Sequence, residues 1–519
     1  MILGQSSPEH LALLTKAGGA TLDDLFRRTA ARRPDAIALV DPPNSKSVTD
    51  GPPRRLTYSE ADRMISALAG RLRRIGLQTD DVVGLQMANT VDGVLTLLGI
   101  VRAGLIATPL PLLWRQADCV RALSRVGAKA LVMNARIGAV DHCALAMNVA
   151  ADIFHMRQVC GFGRDLPDGV TPFDDLYDAT ALDPLPAIER PVNPAGHVAA
   201  ITWDVSPAGL VPVARSHFEL VAAGAAVTLE SRIGQNTVIL SSIAMCSFAG
   251  LALTVLPWLL IGGTLLLHHP FDPAVLTQQC KDDRCAVVIV PGPLAQRLSE
   301  ASAFNRRGVK TVIAPWRTPE RLAGSAGWRD PAIALVDVPI FGETALLAAR
   351  RLGNGRSVPF ALGPITTPRG APGALQVAQL ARTEAGTLAV RGPMVPKFSF
   401  HSATDSDADP SFEIGPDGFV DTGYACRADP STRALSITTP PNGIVAVGGY
   451  RFALQALKEL AAGAEAGGTL AVLPDAAVGQ RLAGNARDIE RVRQDLVARG
   501  INPLVIEAFR PAADRRATG

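Results

Sequence analysis

Between residues 55 and 134 two apolar patterns alternate, and this alternation restricts the fold more than any other feature of the chain. In LTYSEADRMISALAGRLRRIGL, Met64, Leu68, Leu72 and Ile75 fall on one helical stripe that Gly76 closes. Ser59, with Asp62 three residues on, is the expected cap. A strand (VVGLQMA), a helix (VDGVLTLLGIVRAG), a strand (LIATPLP), a helix around 115–126 and a strand (KALVMN) follow. Strands and helices alternating in this way imply parallel sheets covered on both faces. Upstream, TLDDLFRRTAARRPDAIALV reads as a helix stopped by Pro34 and then a short strand. DPPNSKSVTDGPPRR reads as a polar hairpin-type loop.

Length and composition set the remaining bounds. A chain of 519 residues has room for roughly two to four domains. With 48% apolar and 19% charged residues it is globular. The formal charge of +3 comes from scattered basic residues, with pairs such as Arg32-Arg33 and Arg306-Arg307 but no long run. Such a distribution argues against a nucleic-acid partner. The seven cysteines show no CxxC and no His-paired metal spacing, so they read as reduced thiols of a cytoplasmic protein. The N-terminal stretch lacks a basic start with a long apolar core, so no signal peptide is expected. Ile243–Leu267 carries no charge and is long enough to span a bilayer. Gly262-Gly263 and Pro257 divide it, however, and a buried helix, a tight turn and a buried strand is the preferred reading.

Residues 201–217, ITWDVSPAGLVPVARSH, read as a strand, a loop and the start of a helix. Such a loop is where backbone N–H groups and a helix N-terminus hold phosphate. This one has one Gly, two Pro and no Lys. Two further signals are set aside. Gly161-Phe162-Gly163 lacks the third glycine of a dinucleotide fingerprint and reads as a turn. His268-His269 reads as a strand end without metal partners.

The order and spacing of LTYSEADRMISALAGRLRRIGL, DVVGLQMANTVDGVLTLLGIVRAGLIATPLPLLWR, GTLAVRGPMV and DGFVDTGYACRAD resemble the acyl-adenylate-forming superfamily. This AMP-binding superfamily includes acyl-CoA synthetases, luciferases and peptide-synthetase adenylation domains. The resemblance runs to about residue 475. It implies an α/β fold with parallel and mixed sheets flanked by helices, a small β subdomain, and a small, shortened α/β domain at the C-terminus. The implied boundaries are 1–439 for the large domain, with subdomains near 1–190, 191–335 and 336–439, and 440–519 for the small one. The Pro-rich stretch 181–196 is the expected subdomain linker, and 401–411 a polar surface loop. In the small domain, a helix after GGYRF, a strand TLAVLP, a helix ARDIERVRQDLVARG and a strand PLVIEAF are expected.

Residue by residue, the resemblance implies a depleted site. Aligned on Ser216-His217, Val211 replaces the Lys of the phosphate loop YTSGTTGxPKG, Pro212 its next Gly, and Trp203, Asp204 and Val205 its Thr-Ser-Gly. Either a shifted loop binds nucleotide through Ser206 and Gly209, or a surface loop no longer holds triphosphate. Phe341, Gly342 and Thr344 keep the aromatic, Gly and Thr of YGxTE as nucleotide contacts, with Thr344 also in a catalytic role. Ala345 stands at the metal carboxylate. Glu343, two residues earlier, is either its catalytic and metal-binding substitute or a solvated charge. The ribose-binding TGD reads Thr422-Gly423-Tyr424, with Asp421 before it. Tyr424 offers stacking or one hydrogen bond, and Asp421 either reaches the sugar or caps a turn. The hinge GRxKD is SITTPPNG here, and the C-terminal catalytic Lys is absent. An acyl pocket would be lined by Met245, Phe248, Leu251 and Trp258.

Two functions remain open. One is an acid–thiol ligase using ATP and Mg²⁺ to convert a carboxylic acid to an acyl-AMP, then passing the acyl group to CoA or an acyl carrier protein. The other is a non-catalytic descendant that binds an acyl ligand, a nucleotide or a protein partner. The several missing charges and donors, each worth on the order of 10²–10³ in rate, predict weak or lost activity.

Overall fold

The computed structural model describes residues 19–178, 185, 188, 193–304, 308–400, 409–475 and 478–510. Most of the 181–196 linker, residues 401–408 of the polar loop, and both chain ends therefore lie outside the described residues.

Two large sheets carry the architecture. The first runs, in spatial order, Gly209–Ser216, Val198–Ser206, Ile106–Pro109, Val82–Gln86, Ala130–Asn134, Gln158–Phe162 and Val170–Pro172. Only its first pair is antiparallel. The second has a parallel centre of Ala334–Phe341, Thr311–Trp316, Val287–Ile289, Val238–Ser241, Thr264–Leu267 and Ile37–Val40. Arg55–Thr57, Ala345–Leu346 and Ala349–Arg350 add antiparallel edges to it. The sheets thus interleave along the chain, since Ile37–Val40 joins the second sheet and Val198–Ser216 completes the first.

Helices Leu22–Arg32, Tyr58–Arg74, Val91–Arg102 and His217–Glu230, with the helical run 248–261, share one core between the sheets. Every residue of Val91–Arg102 is buried, as expected of a helix with a sheet on either side. Helices Gln116–Arg125 and His142–Asp152 cover the outer face of the first sheet. Helices Pro273–Asp282 and Gly292–Glu300 cover that of the second. Alternate strand residues face opposite cores, Val83 inward and Val82 outward.

A five-stranded antiparallel sheet spans Gly363–Thr439. A four-stranded antiparallel sheet follows, ordered Tyr450–Ala453, Ile444–Val447, Gly479–Ala486, Gly468–Asp475, with its own core around Leu457, Leu482, Val492 and Phe509.

Several local expectations are corrected. The cap of Tyr58–Arg74 is Thr57, in a reciprocal capping box with Glu60, and not Ser59. Asp62 instead pairs with Arg102 at 2.7 Å. The polar loop after Val40 holds a short helix, Ser45–Thr49. PLVIEAF begins as helix Pro503–Ile506, because Asn502 caps it and Pro503 presets its first turn. Gln158–Phe162 is a strand that Gly163 ends. The apolar stretch 243–267 forms a helix, a turn at Gly262 (φ +62°) and strand Thr264–Leu267. A π-helical segment at Leu251–Val255 precedes Pro257, which has no N–H to give. Among the described residues no helix is long and apolar enough to cross a membrane. His268 is held by Gln279 and by the Asp272 N–H, with no metal cluster among the described residues.

Candidate functional site

Residues 198–216 form a hairpin and not a strand followed by an open loop. Both arms are near-continuous apolar runs buried along most of their length, Trp203 lies opposite Pro212 and Asp204 opposite Val211, and Pro207-Ala208 makes the tight turn. Ser206 Oγ accepts the Ala208 N–H at 3.2 Å and donates to the Gly209 carbonyl at 3.3 Å. Both residues expected at a phosphate are thus used in closing the turn. Ser216 then caps helix His217–Glu230 in a capping box with Glu219. In its first turn the Glu219 N–H serves the box and the His217 N–H goes to the His197 carbonyl.

Three elements meet the flank of this hairpin: the turn at 341–344, the helix start at Ser247-Phe248, and strand Tyr450–Ala453. Gly342 adopts φ +56°, which turns the chain sharply after Phe341. This aims the Glu343 N–H at Asp204 Oδ2, 2.9 Å away. Asp204 Oδ1 accepts the Val205 N–H and is paired with the Arg451 guanidinium. A Cβ built on Gly342 would lie 2.4 Å from both Arg451 Nη1 and Asp204 Oδ2, so the ion pair rests directly on the glycine.

Glu343 is buried, which excludes the solvated-charge reading. Its Oε2 accepts the Phe248 N–H at 2.7 Å, filling an open donor of that helix. Burial pushes its carboxyl up to about 7; the Asp204 carboxylate adds to this and Arg317 opposes it. Arg215, fully buried, ties the site together. It donates to the carbonyls of Glu343, Thr344 and Met394, and its guanidinium lies 3.7 Å from the Phe248 ring centroid. Burial lowers it to about 10. Arg317 donates to Ser247 Oγ at 2.6 Å. The Thr344 N–H closes the turn on Phe341 O at 3.0 Å.

Tyr424 meets Phe341 edge to face, with centroids 5.6 Å apart, and burial raises its phenol to about 12. Asp421 is exposed; it accepts from the Gly423 N–H and the Thr387 hydroxyl, so it caps a turn. Met245, Phe248 and Leu251 are buried in the central core. Trp258 leaves the pocket set, since its indole stacks on Tyr58, packs near Phe26 and donates to the Gly263 carbonyl. The structure therefore gathers Phe341, Gly342, Glu343, Thr344, Phe248 and Tyr424. Asp421 serves its own turn, Ser206 and Gly209 the hairpin end, and Trp258 the aromatic core.

Arg215, Arg317 and Arg451 were not among the expected site residues. One signal pointed to them: Asp204 and Arg215 are lone charges within apolar strand patterns, and a buried charge requires a partner.

The donor set does not suit Mg²⁺. The Glu343 carboxylate is turned into a helix end and Asp204 is bound to Arg451. Among the described residues no group of three His, Cys, Asp or Glu is placed to hold a metal ion.

Residues 26–189 match the family model described as AMP-binding enzyme. Over 102 residues the chain is 32% identical to tyrocidine synthase 1 of Brevibacillus parabrevis, covering 20% of this chain and 8% of that protein. Over 112 residues it is 30% identical to the medium-chain fatty-acid–CoA ligase of Escherichia coli (strain K12), covering 22% and 18%. These matches span less than a fifth of either relative. The amide bond synthetase McbA from Marinactinospora thermotolerans shares the fold across 93% of this chain and 94% of its own, with a TM-score of 0.70 and 17% identity.

Proposed function

From the premise that this chain belongs to the acyl-adenylate-forming superfamily, we propose that it is a divergent acyl-CoA synthetase-like protein that has lost ATP-dependent activation. In this reading it retains the fold as a binding module for a carboxylic acid or acyl ligand in the cytoplasm. The observation that carries it is the Arg451–Asp204 pair resting on Gly342. Enzymes of this family use ATP and Mg²⁺, and here the chain's own charges neutralise one another where phosphate and metal would need them. Met245, Phe248 and Leu251 are the proposed acyl lining, and 440–519 the proposed small domain.

Calorimetric titration with ATP and Mg²⁺, AMP and a non-hydrolysable acyl-adenylate analogue tests this reading. No heat with ATP and Mg²⁺ or with AMP is expected, and the analogue should bind no more tightly than its free acid. Micromolar binding that Thr344→Val weakens would overturn it. The alternative, an active ligase delivering acyl groups to CoA or a carrier protein, draws on Phe341, Gly342 and Thr344 standing together. Pyrophosphate release with a panel of acids would favour it.

A further inference from the structure

Beyond the carboxyl ends of the second sheet's parallel strands, Arg317 stands apart from the paired charges of the site. Strand Thr311–Trp316 ends beside it, Ala334–Phe341 runs into the Gly342 turn, and Val238–Ser241 leads to Cys246-Ser247. Ligands of open α/β sheets lie beyond this edge. Arg317 is part-buried and its Nη2 donates to Ser247 Oγ at 2.6 Å. Among the described residues it makes no other hydrogen bond, and no carboxylate is in ion-pairing distance. Asp204 is taken by Arg451, and Glu343 is turned to the Phe248 N–H. Burial raises the Cys246 thiol and the Tyr450 phenol, so neither supplies a negative charge to Arg317. A part-buried guanidinium without a counter-charge is costly.

Ser247 adds a second donor. It is 6% exposed, and its Oγ accepts from the Gly250 N–H at 3.1 Å as well as from Arg317. Two accepted bonds leave the hydroxyl hydrogen to donate, and no described residue accepts it. The arginine is also fixed in direction. A Cβ on Gly449 would meet Arg317 Cδ at 2.3 Å, so the backbone of the C-terminal unit lies on the side-chain stem. A guanidinium held at its stem and at Nη2 is preorganised to grip a planar oxyanion with its remaining donors.

We propose that Arg317, with the Ser247 hydroxyl, is the specificity-determining anchor for a free carboxylate. The site takes an acid in its ionised form, with the apolar body toward Met245 and Phe248, and rejects the same acyl group as an amide or a thioester. The proposal rests on the acyl-binding reading above and narrows it to the unactivated acid.

Titration calorimetry of the full chain with octanoate and benzoate, and with the neutral octanamide and benzamide, tests it. Saturable heat is expected with an acid, and its amide should bind about tenfold more weakly or worse. Arg317→Gln keeps a donor for Ser247 and removes the charge. It should weaken the acid about tenfold or more and leave the amide unchanged, and Arg317→Lys should recover part of the loss. Equal affinity for acid and amide, full acid affinity in Arg317→Gln, or equal losses for both ligands overturns the anchor while acyl binding stands. Inorganic phosphate binding as tightly as the acid overturns the assignment to a carboxylate. No saturable heat with acid or amide up to about 10 mM overturns the anchor and the acyl-binding reading together.

Discussion

Glu343 gives the site a pH dependence whose sign follows from its surroundings. In the folded chain its carboxyl is raised from 4.5 to about 7. The folded state therefore holds a proton that the unfolded state has released over that interval. The stability contributed by this group is complete below about pH 4.5 and is lost as pH rises through about 7. Glu343→Gln keeps an acceptor for the Phe248 N–H and removes the titration. The variant should be more stable than the parent at pH 8, by as much as ~3 kcal/mol, with little difference at pH 4.5. Urea midpoints at the two pH values measure this. Arg451 acts in the opposite sense, because its loss strands the Asp204 carboxylate. Arg451→Ala should cost about 3 kcal/mol, and Arg451→Ala with Asp204→Ala less than the two single changes summed. A thermodynamic cycle from denaturant curves reads that coupling.

At the scale of elements, caps and turns separate what pattern reveals from what pairing decides. The helix at 58–74 was legible from its apolar stripe, and Met64, Leu68 and Leu72 are buried as the stripe requires. Its start lay two residues from the expected position, because Thr57-Glu60 and Ser59-Asp62 carry the same spacing. Only the backbone path shows that Thr57 is the residue in extended conformation. Thr57→Ala should cost about 1 kcal/mol and Ser59→Ala close to nothing, which thermal midpoints compare. The hairpin at 198–216 departs from the strand-and-loop expectation for a related reason. Pro207 and the lone Gly209 suit a loop, whereas here Pro207 sits in a two-residue turn and Gly209 opens the returning strand opposite Ser206. The 243–267 segment forms the helix, turn and strand that its punctuation by Gly262-Gly263 and Pro257 implies. At Gly262 the left-handed backbone and a Cβ only 2.9 Å from Thr29 Cγ2 forbid larger residues. Gly262→Ala should lower stability by about 1–2 kcal/mol.

At the scale of the whole molecule, glycines let the four-stranded C-terminal unit approach the rest closely. A Cβ on Gly449 would meet Arg317 Cδ at 2.3 Å, one on Gly500 would meet Gln116 Cβ at 3.0 Å, and one on Gly443 would meet Pro207 Cγ at 3.3 Å. Gly449, at φ +93°, is the tightest of these. Gly449→Ala should loosen the docking without unfolding either part. Faster proteolysis near 439–443 and a larger radius of gyration in solution scattering are the expected readouts, with the main thermal transition retained.

The order of elements, the parallel sheets with helices on both faces, and the resemblance to the acyl-adenylate-forming superfamily were determined by the sequence alone. Periodicity and motif spacing are local properties that survive in a divergent chain. Val211 and Ala345 likewise stand in the sequence where the resemblance would place a phosphate-loop Lys and a metal carboxylate. What the charges around these positions pair with was decided only in three dimensions. Asp204, Arg215, Glu343 and Arg451 are up to 247 positions apart, and a charge inside an apolar strand names no partner. Which cation reaches which carboxylate depends on how the 198–216 hairpin, the Gly342 turn and the docked C-terminal strand converge. That convergence follows from packing and from backbone approach at glycines, which no spacing along the chain records.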